Sequence, residues 1–86
     1  DGQFDAFIKA VKKIYKDNLK REMPRLTNYT VSIPPHGSTD ALVMTNITWN
    51  YNGHIIKTRG LEVDQIEAAF QATIKMLNII EGMRKS

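Results

Sequence analysis

The chain has no cysteine among its 86 residues, and only two histidines, three prolines and one tryptophan. Without cysteine there is no disulfide, no thiolate metal ligand and no thiol nucleophile, and the usage fits a reducing compartment, so the cytoplasm is the expected location. His36 lies in the Pro34-Pro35-His36-Gly37-Ser38 loop and His54 just past a turn, so no spacing presents two imidazoles to one metal. No serine sits in a glycine-flanked elbow, no Walker-type phosphate loop occurs, and the carboxylates are scattered singly over helix surfaces and caps. No catalytic residue, metal site or cofactor site is therefore expected in this stretch. No apolar run approaches the ~20 residues of a membrane-spanning helix, so no membrane partner is expected. The opening Asp1-Gly2-Gln3-Phe4 carries neither an initiator methionine nor a signal-peptide pattern, and the chain reads as a piece excised from a longer protein.

What is present is basic and unevenly placed. The net charge is +3, and Lys9, Lys12, Lys13, Lys16, Lys20, Arg21 and Arg25 crowd residues 9–25 against Asp17 and Glu22. Such a face binds nucleic acid or an anionic surface in some proteins, but a solvated outer helix face is the commoner reason for it. At this length the chain makes one domain with a thin core, for which oligomerisation is the expected support.

Phe4, Phe7, Ile8, Val11, Ile14, Tyr15 and Leu19 recur at helical spacing, which predicts an amphipathic helix from about Gln3 to Lys20 that stops before Pro24. Leu26 to Ile33 alternates, with Tyr29, Val31 and Ile33 on one face, and predicts a strand whose apolar face is core. Ala41 to Tyr51 predicts a longer strand, and Asn52-Gly53 a tight type I′ hairpin that sets Tyr51 opposite His54 and Trp49 opposite Ile56. A third strand reads from His54 to Thr58. Gly60 then permits a sharp backbone turn, and Asp64 with Glu67 forms a capping-box pattern for a helix that starts near Val63 or Asp64. The unpaired first N–H groups of such a helix favour an anion. The last helix carries Val63, Ile66, Phe70, Ile74, Leu77 and Ile80 as its main stripe, widened by Met76, Ile79 and Met83. Phe70, Ile74, Leu77 and Ile80 are the candidates for helix packing, with part of the stripe reserved for a second subunit. The expected fold is α+β: helix-strand-strand-strand-helix, a three-stranded antiparallel sheet with the helices packed on it.

That order in a basic chain is also the layout of a double-stranded-RNA-binding domain. Those domains place lysines at the start of the second helix, whereas Glu62, Asp64 and Glu67 stand here, and no aromatic residues interleave the basic face of the first helix. Nucleic acid is therefore not the expected partner.

The residues resemble the C-terminal regulatory domain of α-isopropylmalate synthase over almost the whole chain. Asp1-Gly2-Gln3-Phe4-Asp5-Ala6-Phe7 is similar to the latter part of that family's Gly-x-Gly-Pro-Val-Asp-Ala helix-opening motif. Leu26-Thr27-Asn28-Tyr29 resembles its Leu-x-Asp-Tyr strand opening, and Gly37-Ser38-Thr39-Asp40-Ala41-Leu42-Val43 its Gly-x-Asp-Ala-Leu-Gly segment. Lys57 to Asn78 resembles its strand, Gly-x-Gly-x-x-x-Asp turn and closing helix. Gln3 replaces the motif's proline, Asn28 its aspartate, and Arg59 one of the turn glycines. The alternative of similar pattern is the isoleucine-responsive domain of citramalate synthase.

The resemblance implies a regulatory domain of two β-β-β-α units, of which residues 1–21 would be the first unit's helix and 26–83 the complete second unit, so that 1–86 is a single partial domain. It implies that leucine binds where the units meet and inhibits a separate TIM-barrel domain, which condenses acetyl-CoA with 2-oxoisovalerate at a divalent metal that this chain does not hold. A homodimer is implied as well. Carried over by position, Gly2, Gln3, Phe4, Asp5, Tyr29, Ile33, Asp40 and Leu61 line the effector pocket. A zwitterionic guest needs its carboxylate met by backbone N–H groups, its ammonium by oxygen, and its side chain by apolar surface. The helix starts at Asp1 to Phe4 and Leu61 to Gln65 would supply the polar contacts, and Phe4, Tyr29, Val31, Ile33 and Leu61 the apolar ones.

Overall fold

A computed structural model describes residues 2–33 and 42–85. The elements run α1 (Gly2–Asp17), β1 (Arg25–Ser32), β2 (Val43–Tyr51), β3 (His54–Glu62) and α2 (Gln65–Lys85), with the strands antiparallel in the order β1-β2-β3. This is the expected α+β order. Asn52 (φ 52°) and Gly53 (φ 88°) supply the two left-handed residues of the hairpin, and Tyr51 faces His54 while Trp49 faces Ile56, as the sequence predicts. The predicted loop at Pro34–Ser38 and the predicted strand start at Ala41 lie outside the described residues.

The strand period decides which side chains meet the helices. Ile47, Trp49, Ile56 and Thr58 point to the helix side and are buried, with the Trp49 indole N–H donating to the Thr58 hydroxyl at 2.9 Å. They pack against Ala69, Ala72, Met76 and Ile80 of α2, with Phe4 and Tyr15 of α1 and Met23 closing the core. Thr45 is also fully buried on this side, and its hydroxyl has no hydrogen-bond partner among the described residues. The opposite sheet face carries Asn46, Thr48, Lys57 and Arg59 and is open.

Four expectations need correction. The first helix ends at Asp17 rather than Lys20: Lys20 turns left-handed (φ 56°) and lets the Arg21 N–H donate to the Tyr15 carbonyl at 2.9 Å. β3 does not end at Thr58 but continues to Glu62, so Gly60 is a paired strand residue opposite Thr45 and not a turn. Its missing side chain serves packing instead. A Cβ there would run into the Ala68 backbone, 2.6 Å from the carbonyl carbon. The face of α2 that docks is accordingly small, with Ala68, Ala69, Ala72 and Thr73 leading into Met76 and Ile80, whereas Val63 and Ile74 of the predicted stripe are exposed. Finally, Val31 and Ile33 are not core. They are 41% and 74% exposed, because β1 is an edge strand covered only along Leu26 and Tyr29.

Candidate functional site

The first turn of α1 stands over β1. Phe4 is buried there, its ring 5.4 Å from that of Tyr29 and 6.5 Å from that of Phe7. Phe7 in turn lies 4.4 Å from Phe70 of α2, so four rings join α1, β1 and α2 at one end of the molecule. Helical spacing puts Phe4 and Phe7 on one face of α1, and tilted rings at these separations are favourable beyond the area they bury. Gly2, Gln3 and Asp5 flank Phe4 in the same first turn of α1 and are exposed.

The structure thus brings Gly2, Gln3, Phe4, Asp5 and Tyr29 to one place. Ile33 lies just past the end of β1, and Asp40 is outside the described residues. Leu61 is elsewhere: it pairs with Met44 on the open face of the sheet, opposite to the face that carries Tyr29. The start of α2 is occupied by its own side chain. Asp64 Oδ1 accepts from the N–H groups of Ile66 (2.7 Å) and Glu67 (3.4 Å), and Gln71 Oε1 accepts from the N–H of Leu61 (2.7 Å) while its amide donates to Glu62 (3.1 Å). The Asp64 half of the predicted capping box is therefore present, and it consumes the donors that an anion would need. Of the predicted packing residues, Phe70 and Leu77 are half-buried against the core, Ile80 is buried and Ile74 is exposed.

At the other end of the two helices is a clamp without a signature in the sequence. Arg21 Nη2 donates to Glu81 Oε1 at 2.9 Å, Arg84 Nε donates to Glu81 Oε2 at 3.2 Å, and the Arg21 guanidinium lies 5.3 Å over the Tyr15 ring. The hydrogen bond from Arg21 holds the Glu81 carboxyl below its ordinary range, with Arg84 adding to it. Burial first, and the Glu81 charge second, push the Tyr15 hydroxyl above its ordinary value. Arg21 and Glu81 stand 60 residues apart, and no local pattern pairs them. The clamp and the ring cluster hold α1 at its two ends.

Beside the clamp, Lys12, Lys16, Arg21, Glu22, Met23 and Arg25 line an open cleft of about 420 Å³, and Asn46, Thr48, Lys57, Arg59 and Lys75 help line one of about 480 Å³ on the sheet. Among the described residues no three of histidine, cysteine, aspartate and glutamate converge as metal ligands, and no helix is long and apolar enough to cross a membrane.

A family model described as the LeuA allosteric (dimerisation) domain matches residues 1–81. The 2-isopropylmalate synthase of Citrobacter koseri is 34% identical over 80 residues, which cover 93% of this chain and 14% of that protein. The 2-isopropylmalate synthases of Escherichia coli strain K12 and Shigella flexneri are each 32% identical over 80 residues, with the same coverage. The chain thus spans 14% of the length of these curated relatives.

Proposed function

The chain belongs to the LeuA allosteric (dimerisation) domain family, and from that premise we propose that it is the leucine-sensing and dimer-forming part of a 2-isopropylmalate synthase. Its role is feedback inhibition, in the cytoplasm, of the first committed step of leucine biosynthesis. The condensation itself, and the divalent metal it uses, belong to a separate catalytic domain of the same parent chain. Residues 1–21 act as the helix of one β-β-β-α unit and 26–83 as the next unit.

The observation that carries this reading is the juxtaposition of the α1 first turn with the ring cluster. Phe4 sits against Tyr29 beside exposed Gly2, Gln3 and Asp5. The positive end of the α1 dipole suits the leucine carboxylate, Asp5 suits its ammonium, and the rings with Val31 and Ile33 suit its isobutyl group. The α2 start is not needed, since Asp64 already caps it. Inhibition follows if leucine prefers one placement of α1 over another, because a ligand of equal affinity for both shifts nothing.

Isothermal titration of the chain with leucine, isoleucine and a double-stranded RNA tests this. Saturable heat from leucine, with weaker or no heat from isoleucine, is expected. Heat from isoleucine alone would reassign the chain to a citramalate-synthase-like sensor, RNA binding with a steep salt slope would overturn the sensor reading, and silence from every ligand would leave only the dimer-forming role.

A further inference from the structure

The sheet has two edges, and the chain treats them differently. Along β3, Lys75 Nζ donates to the Arg59 carbonyl and Gln71 Oε1 accepts from the Leu61 N–H, both at 2.7 Å, while Lys57 and Arg59 add charge. Side-chain cover and charge are the usual means by which an edge strand is kept from pairing with another chain. β1 carries neither charge nor proline from Leu26 to Ile33. A bulge between Leu26 and Asn28 disturbs only its beginning, so Asn28 to Ser32 is a regular run, and within it Asn28, Thr30, Val31 and Ser32 are exposed.

α1 runs antiparallel to β1, because residues 18–24 return the chain directly from the end of one to the start of the other. It therefore begins over Tyr29 and leads away toward Arg25, leaving Val31 and Ile33 bare on the helix side.

We propose that β1 joins the β1 of a second copy, antiparallel, about a two-fold axis through Thr30. The surface is self-complementary in that register. Thr30 faces Thr30 and Asn28 faces Ser32 on the open face; on the helix side Tyr29 faces Val31, an aromatic against a β-branched side chain. Each α1 leads away from the axis, so the second copy's helix start covers the Val31 and Ile33 that the first copy leaves exposed. The occupant is a second copy because one edge supplies both halves of the match, as an isologous contact requires. The inference rests on the dimer-forming role proposed above and assigns it to a strand edge rather than to α2.

Sedimentation velocity on the wild-type chain, Thr30→Glu, Thr30→Lys and an equimolar mixture of the two tests it. Thr30 is exposed, so either variant leaves the fold intact, which far-UV circular dichroism checks. Each variant alone sets like charges opposite each other and weakens association by about five- to tenfold, and the mixture regains it by pairing opposite charges. A wild-type chain that stays monomeric overturns both this inference and the dimer-forming role. A dimer that both variants leave intact, or that Ile74→Lys alone disperses, overturns the strand-edge assignment and keeps the role. Weakening in both variants without recovery in the mixture overturns the two-fold register.

Discussion

Gly60 shows how one absent side chain sets the separation of two layers. Among the described residues the glycine with left-handed backbone is Gly53, so Gly60 is required by its neighbour and not by its dihedral angles. Gly60→Ala would push a methyl group into the Ala68 backbone, which cannot rotate aside as a side chain would. The expected outcome is a loss of about 1–3 kcal/mol or more, read as a lower urea midpoint with the slope unchanged; an unchanged midpoint would mean that α2 does not lie this close. In the sequence Gly60 stands out as a turn residue, whereas in the fold it is a paired strand residue that makes room for α2. A glycine in a sequence says that a Cβ is unwelcome, but not whether a turn or an approaching backbone excludes it.

Between elements, the clamp ties stability to pH in two windows. Glu81 has a folded pKa below its unfolded value, so the stability it contributes is present above about pH 4.3 and is lost as pH falls through the folded value. Tyr15 is shifted the other way: its contribution is present below about pH 10 and is lost as pH rises through the folded value. Thermal melts of Glu81→Gln against the wild type from about pH 3 to 7 should show a shallower acid limb in the variant. Parallel limbs would mean that the Arg21–Glu81 pair does not hold in solution. Element order and the hairpin register were legible because period and Asn-Gly chemistry are local. The docking face of α2 was not, because Ala68, Ala69, Ala72 and Thr73 carry little hydrophobic signal beside Ile74 and Val63, which stay outside. The clamp was illegible for a different reason, since a single Arg and a single Glu far apart in the chain have countless possible partners.

Taken whole, the molecule is a two-layer slab of 45 × 28 × 19 Å with Ile33, Ile55, Val63 and Ile74 all more than half exposed. So thin a core gains from a second copy, and association then shows in melting: the Tm of a dimer should rise by about 3–5 °C for each tenfold increase in chain concentration. A Tm independent of concentration would point to a monomer. The candidate site was half legible at this scale. Phe4 and Tyr29 come together because helical spacing and strand alternation each turn them inward. Leu61 falls on the far face because β3 runs on through Gly60, and in a strand each residue's side is fixed by counting from its partners.

Helix and strand touch backbone to backbone at Gly60 and Ala68, and so they are keyed like a rack and its tooth. A slide of α2 along β3 would carry the Ala68 carbonyl onto the side chain of Thr58 or Glu62, the neighbours of Gly60 on the same face, so α2 and the sheet travel as one piece. α1 meets that piece through side chains alone: rings at one end, Ile8, Val11 and Tyr15 along its length, and the Arg21–Glu81 ion pair just past its other end. The keyed slab is thus the rigid frame of the fold, and α1 is laid on it by side-chain packing without a backbone key.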